Sequence, residues 1–147
     1  MVKRTTFGDA NCPVARSVDA VGDWWSLLIV RDAFDGSRRF GEFQRSLGVA
    51  KNILSARLKA LTHTGILSVV PAGAHNEYVL TAKGEALFPV IVALRQWGEA
   101  HFFAADEPRS ELVDTAAGRP LRRLEVRTED GRLVDSVDTV VVKVPSA

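Results

Sequence analysis

Cysteine is almost absent from this chain of 147 residues, because Cys12 is the only one. A single thiol excludes a disulfide within one chain and any metal site that needs several cysteines. It leaves open a disulfide between two copies of the chain.

Long apolar runs are also missing. No stretch approaches the roughly 20 residues of a membrane-spanning helix, and residues 1–9 are short and polar, with no apolar stretch or cleavage site after them. We therefore expect no membrane partner and a cytoplasmic protein. Hydrophobic residues make up 46% and charged residues 25% of the chain, which is typical of a globular domain.

The motifs of common enzymes are missing as well. The sequence has no phosphate-binding glycine loop, no nucleophile elbow and no metal-ligand motif. We therefore predict that the protein is not an enzyme and that it needs neither a metal nor a cofactor.

Acidic residues are absent from residues 43–76, although the net charge of the whole chain is only +1. The same part of the chain is rich in basic residues, namely Arg45, Lys51, Arg57 and Lys59, with Arg38 and Arg39 just before it. A local basic surface on a nearly neutral protein is typical of a DNA-binding face. Charge alone is equally compatible with chance clustering on a solvated surface.

Four helices are predicted in the first half of the chain, over residues 12–21, 24–34, 39–47 and 51–64. Asp23 suits the N-cap of the second helix, and Gly48 and Gly65 suit the ends of the third and fourth. The second helix is apolar almost all round, so we expect it to be the buried central helix.

A β-hairpin and a long helix are predicted to follow. The hairpin has strands over residues 66–70 and 78–80, joined by a flexible tip at residues 71–76. The helix runs from Thr81 to about residue 103, with a kink or break expected at Pro89.

The last part of the chain has a strand pattern. An Asp-Gly turn at residues 130–131 between apolar runs predicts a second hairpin, and residues 139–144 predict a further strand. We therefore expect a small β unit after the long helix.

This order of elements is that of a winged helix-turn-helix, so the predicted fold class is mainly α (α+β). The predicted domains are an N-terminal arm (residues 1–10), a DNA-binding and dimerisation domain (residues 11–105) and a β-rich extension (residues 106–147). In this fold the second helix of the helix-turn-helix pair enters the major groove of DNA.

The fourth predicted helix has two distinct faces. On a helical wheel its leucines, at positions 54, 58 and 61, fall together. The separate outward face carries Asn52, Ser55, Ala56 and Lys59. An amide, a hydroxyl, a methyl and an ammonium are groups that read base edges. An ordinary solvated face is the alternative, which the preceding short helix and the following hairpin make less favourable.

A second set of polar residues suits the DNA backbone. These phosphate or wing candidates are Arg38, Arg39, Arg45, Lys51, Arg57, His75 and Asn76. The last two lie in the predicted hairpin tip, where Asn76 suits a plain polar turn about as well.

Several segments resemble the HxlR-type regulators of bacteria. The similarity covers roughly residues 11–103, and its motifs occur in the family's order. They are Cys12-Pro-Val, Val18-Asp-Ala-Val-Gly-Asp-Trp-Trp-Ser-Leu-Leu-Ile, Arg39-Phe-Gly-Glu-Phe, Asn52-Ile-Leu-Ser-Ala-Arg-Leu-Lys-Ala-Leu, Tyr78-Val-Leu-Thr-Ala-Lys-Gly and Leu94-Arg-Gln-Trp-Gly.

The resemblance implies a homodimer that binds an inverted-repeat operator in double-stranded DNA, usually as a repressor. It also implies that the first and last helices form the dimer interface, for which the candidates are Val14, Val18, Val90, Leu94, Trp97 and His101. Some longer relatives carry a cysteine-bearing ribbon at the C-terminus, but no cysteine follows Cys12 here, so the role of the extension stays open.

Cys12 is the candidate redox sensor, because several HxlR-type regulators sense oxidants with a cysteine at this position. A helix start also favours a reactive thiol. The alternative is a small buried apolar residue.

Two other functions remain open. One is a winged-helix module that binds protein without specific DNA binding. The other is a regulator whose small-molecule effector binds to the C-terminal extension.

Overall fold

The computed structural model describes residues 6–145, so the first five residues of the predicted arm lie outside the described range. The elements are α1 (Pro13–Val21), α2 (Trp24–Phe34), α3 (Phe40–Leu47), α4 (Lys51–His63), β1 (Leu67–Ala72), β2 (His75–Leu80), α5 (Ala82–Glu85) and α6 (Phe88–Phe102), with a 3₁₀ turn at Ser136–Asp138. The winged helix-turn-helix predicted from the sequence is confirmed.

Local capping groups explain where the first helices begin and end. The backbone N–H of Ser26 donates to the Asp23 carboxylate at 2.8 Å, which caps α2. Gly48 ends α3 with a φ of 62°, and Gly65 follows α4 with a φ of 80°, both in the left-handed region that favours glycine. These predicted boundaries are confirmed.

The core lies where α2, α3 and α4 meet β1. Its largest fully buried side chains are Phe43, Ile29, Leu54, Leu58, Leu61, Leu67 and Val30. The three leucines of α4 therefore point inward, as the helical wheel predicts, and fix which side of this helix faces away from the protein.

The expectation that α2 is buried all round is wrong at Trp24, whose side chain is 72% exposed. At 3.6 residues per turn, Trp24 lies about 140° around the helix from Ile29, which is fully buried. Trp25 lies close to the buried side and is half-buried. The helix is thus central but presents one indole to the outside.

The hairpin is longer than predicted. Strands β1 and β2 pair antiparallel from Leu67 with Leu80 to Ala72 with His75. Gly73 has a φ of 65°, which is typical of a two-residue hairpin turn with glycine as its first residue. In the described range only glycines have a positive φ. The predicted flexible tip at residues 71–76 is wrong, because Pro71 pairs with Asn76 and Ala72 with His75. Proline is tolerated at this position because β1 is an edge strand of a two-stranded sheet.

The predicted break near Pro89 is confirmed, and it divides the predicted long helix into α5 and α6. Thr81 caps α5 by accepting from the Gly84 N–H at 3.1 Å. Pro89 is then in the first turn of α6, where its missing N–H needs no partner. The sequence pattern predicts one long helix from Thr81, in which Pro89 would lie beyond the first turn.

The chain forms two compact units that divide within α6, between Ile91 and Val92. The boundary expected from the sequence, between residues 105 and 106, lies after the end of this helix. Of the helices between residues 6 and 145, none has the length and apolar character that a membrane crossing requires.

The β unit expected in the extension amounts to two isolated bridges, Val113 with Pro120 and Arg127 with Leu133. The predicted turn at residues 130–131 is confirmed, since the Thr128 N–H donates to the Arg132 carbonyl at 2.9 Å. The predicted strand over residues 139–144 is wrong: the described part of the chain offers it no neighbouring strand.

Candidate nucleic-acid interface

Helix α4 is held by its buried leucines so that its other face is open. Leu54, Leu58 and Leu61 are at most 1% exposed. The side chains of the predicted base-reading set, Asn52, Ser55, Ala56 and Lys59, are all exposed. The structure therefore brings these four residues together on one outward surface, which we call the α4 face.

The connection before α4 has the geometry of a helix-turn-helix. Residues 48–50 join α3 to α4, and α3 packs against both α2 and α4. A turn of three residues that contains glycine is typical of this motif. Ala50, the N-cap of α4, provides no side-chain acceptor, so the first N–H groups of this helix are available to a phosphate.

Two arginines of the predicted phosphate set are engaged within the chain. Arg38 lies 3.5 Å from the Glu77 carboxylate. Arg57 Nε lies 3.6 Å from the Asp23 carboxylate, and its side chain is only 32% exposed. The sequence pattern could not reveal this second pair, which links α4 to the start of α2.

The other candidates surround a cleft between α3 and the hairpin. Arg39, the N-cap residue of α3, and Arg45 on α3 line a volume of about 390 Å³ together with His75 and Asn76 on β2. Neither arginine forms an ion pair with another residue between 6 and 145. We call this arrangement the wing cleft.

The wing cleft is held open by backbone contacts that the sequence did not indicate. The Tyr78 N–H donates to the Arg38 carbonyl at 2.7 Å, which ties β2 to the start of α3. The Tyr78 side chain also lines the cleft. The sequence predicts that the second strand begins only at Tyr78. A correct prediction of the strand pairing would have been needed to find the contact of Tyr78 with Arg38.

One carboxylate lies in the wing cleft, but it is occupied. The Arg39 N–H donates to Glu42 Oε1 at 2.9 Å and the Arg38 N–H does so at 3.3 Å. These backbone bonds, the Arg39 bond first, hold the pKa of Glu42 below its ordinary value. The nearby charges of Arg39 and Arg45 lower this pKa further. The carboxylate therefore caps α3, and neither arginine forms an ion pair with it.

The predicted dimer-interface residues are exposed apolar or aromatic groups. On α1, Val14 is 70% and Val18 is 51% exposed. On α6, the exposed set is Val90, Leu94, Trp97 and His101, and the Trp97 and His101 rings are 5.5 Å apart. Each of these helices presents an apolar stripe that the described part of the chain does not cover.

Cys12 is exposed and lies at the N-cap of α1. Its sulfur accepts from the Ala15 N–H at 3.4 Å. The alternative of a buried, purely structural cysteine is therefore wrong, and the thiol is accessible at a helix start.

Comparison with known proteins gives a consistent family. A family model described as HxlR-like helix-turn-helix matches residues 20–106. The uncharacterized HTH-type transcriptional regulator Rv3095 of Mycobacterium tuberculosis is 41% identical over 108 residues, which cover 71% of this chain and 68% of that protein.

Two solved structures are also similar. PA1607, a candidate transcription factor, is 56% identical with a TM-score of 0.91, and the match covers 95% of this chain and 99% of that chain. The redox regulator HypR in its oxidized form is 29% identical with a TM-score of 0.58, and the match covers 63% of this chain and 100% of that chain. The protein therefore belongs to the HxlR-like helix-turn-helix family of DNA-binding transcriptional regulators.

Proposed function

We propose that the protein is a sequence-specific transcriptional repressor that binds an inverted-repeat operator as a homodimer in the cytoplasm. The observation that carries the proposal is the α4 face, where buried leucines leave a polar, acid-free surface exposed. A helix enters the major groove of B-DNA most readily with such a surface.

The α4 face provides base-reading chemistry. The Asn52 amide suits adenine, which it can contact through two hydrogen bonds, and the Lys59 ammonium suits guanine. Ser55 and Ala56 add a hydroxyl and a methyl group, and the methyl suits the C5-methyl of thymine. These four contacts would supply the sequence preference.

The wing cleft provides a grip on the phosphate backbone. Arg39 at the N-cap of α3 and Arg45 within α3 line one side of the cleft, and His75 and Asn76 of β2 line the other. Charges of this kind add affinity and fix register without reading sequence. Lys51, exposed at the start of α4, adds a further phosphate contact.

Homodimerisation is supported by the exposed stripes of α1 and α6. Valine, leucine and tryptophan side chains that are 44–70% exposed favour a protein partner over water. A twofold dimer would present two α4 helices to successive major grooves, with half-sites about 34 Å apart.

Redox control through Cys12 is the proposed regulation. The thiol is exposed at a helix start, and the similar structure HypR is a redox regulator. An oxidant such as hydrogen peroxide would be reduced to water while two thiols, either Cys12 of both chains or Cys12 and a small thiol, lose their protons and form a disulfide. This disulfide would change the geometry of the dimer and hence its affinity for DNA.

Selection from a random pool of duplex DNA tests the proposal. We expect enrichment of an inverted repeat with half-sites about one helical turn apart. Binding to the selected site should weaken steeply as salt rises, because phosphate contacts release counterions. If no sequence is enriched, or if the affinity for DNA does not change with salt, the alternative of a winged-helix module that binds protein is favoured.

A further inference from the structure

The extension after α6 has no core of its own. Between residues 104 and 145 the structure buries no residue, and only Leu112, Asp114, Thr128 and Val134 are even half-buried. Burial of apolar surface is the main compensation for the entropy that a chain loses on ordering. Hydrogen bonds join the extension to α6, since Gln96 bonds to the backbone of Arg122 and of Leu124, but the extension stays exposed. A segment of this length and exposure therefore gains from an apolar surface outside its own chain.

The clearest case is the stretch of residues 139–144, which we call the C-terminal arm. Its even positions, Val140, Val142 and Val144, are 86%, 89% and 63% exposed. Its odd positions are Thr139, Val141 and Lys143, so one face is wholly apolar and the other carries two polar residues of three. Alternation of this kind is typical of a strand with one buried face.

The backbone of the arm is equally unpartnered. Residues 140–144 form no backbone hydrogen bond with any other residue between 6 and 145. An isolated extended segment with unpaired N–H and C=O groups is not stable in water and readily pairs with another chain. The arm thus has both an apolar face and a hydrogen-bonding edge to offer.

We propose that the C-terminal arm lies on a second copy of this chain and fastens the dimer. The inference rests on the proposed homodimer and assigns to it a contact beyond α1 and α6. Its apolar face covers surface of the partner, and its edge pairs with the partner's backbone in the manner of strand addition.

The exposed apolar groups favour a second copy over a short peptide. Besides the valines of the arm, α1 and α6 carry apolar side chains that are 44–70% exposed. A second copy presents stripes of this kind to the arm, and the interfaces of permanent homodimers are the large and hydrophobic ones.

Similar regulators differ in chain length. The match to HypR uses all of that chain but 63% of this one, whereas the match to PA1607 covers 95% of this chain. A related regulator therefore exists in a chain about a third shorter, which suits a role for part of this chain beyond forming the α4 face.

A pair of matched substitutions tests the arm. Val142→Ser removes an apolar group from the proposed contact face, and Val141→Ser makes the same change one residue earlier, on the opposite face of an extended segment. Both side chains are at least 79% exposed within one chain, so neither change weakens the folded monomer. Sedimentation equilibrium should show the dimer dissociation constant rising at least about tenfold for Val142→Ser and less than about threefold for Val141→Ser.

The outcomes separate the two proposals. If the parent chain dimerises and the two variants behave alike, the arm proposal is overturned and the proposed function stands. If the parent chain is monomeric at micromolar concentration, the homodimer itself is overturned and the arm proposal with it.

A photo-crosslinking amino acid at position 142 provides a second readout. In a mixture of long-tagged and short-tagged purified chains, the proposal expects a product that contains one of each. The same group at Glu129, in the exposed turn, should give far less of it. Crosslinks confined to single chains, with the dimer otherwise intact, would overturn the proposal.

Discussion

Arg57 Nε lies 3.6 Å from Asp23 Oδ1, so the residue that caps α2 is also paired with helix α4. The same carboxylate accepts from the backbone N–H and the hydroxyl of Ser26, at 2.8 and 2.6 Å. One side chain therefore sets where α2 begins and how α4 lies against it.

Replacement of Asp23 should separate these two roles. Asp23→Ala removes the cap and the ion pair, and we expect it to lower the free energy of unfolding by about 1–2 kcal/mol. Asp23→Asn keeps a good N-cap residue and should cost less than about 1 kcal/mol, because a partly exposed ion pair contributes little. Urea unfolding measures both, and equal losses would show that the ion pair, not the cap, is the dominant contribution.

Substitutions on the α4 face should reduce specificity more than general affinity. Asn52→Ala and Lys59→Ala are each expected to cost about 1–3 kcal/mol on the selected operator and much less on random DNA. Fluorescence anisotropy measures both constants.

Arg45→Ala is the matched control for the α4 face. It should weaken binding to both DNAs alike and lower the slope of log affinity against log salt by about 1. If Asn52→Ala gives this same pattern, the amide contacts phosphate and the base-reading assignment is wrong.

The sequence predicted most of the helix-turn-helix because its signals are local. Asp23 and Gly48 mark helix boundaries through groups only a few residues away, and the leucine spacing of α4 decides its buried face. The hairpin was predicted, but the pairing of residues 71–72 with residues 75–76 was missed because it depends on contacts across the strands. The strand expected at residues 139–144 was wrong for the same reason, since composition does not supply a partner.

Gly84 is required by its packing, which gives a prediction for stability. A Cβ built on this buried residue would lie 2.2 Å from the Ile66 carbonyl oxygen and 2.9 Å from Leu80 Cδ2. Gly84→Ala should therefore lower the free energy of unfolding by about 2–3 kcal/mol. Gly41→Ala is the control, because a Cβ there meets nothing within 4 Å and alanine favours the helix. A loss of stability at both positions would point to backbone flexibility instead of the clash.

Any thiol chemistry of this chain must occur at Cys12, since it is the only cysteine. Diamide or hydrogen peroxide should change operator affinity of the parent protein, and dithiothreitol should reverse the change. Cys12→Ser should bind DNA like the reduced parent, because serine is also a good N-cap for α1. Its affinity should not change with the oxidant, because it has no thiol. An unchanged response in Cys12→Ser would exclude the thiol as the sensor.

Glu42 makes the stability of α3 depend on pH. Backbone bonds from Arg39 and Arg38 lower the pKa of its carboxyl from the ordinary value of 4.5. A lowered pKa in the folded state means that the ionised group stabilises the fold above pH 4.5, and that this contribution disappears as the pH falls through the lowered value.

Glu42→Gln should therefore melt at a lower temperature than the parent at pH 7, and the two should converge as the pH falls below 4.5 and through the lowered pKa of Glu42. The convergence follows because the protonated glutamic acid, like glutamine, carries no charge to hold the two N–H groups. Thermal unfolding followed by circular dichroism at several pH values measures the difference. A gap of constant size from pH 7 to pH 3 would mean that the side chain acts through its shape, and that the charge of the cap contributes nothing.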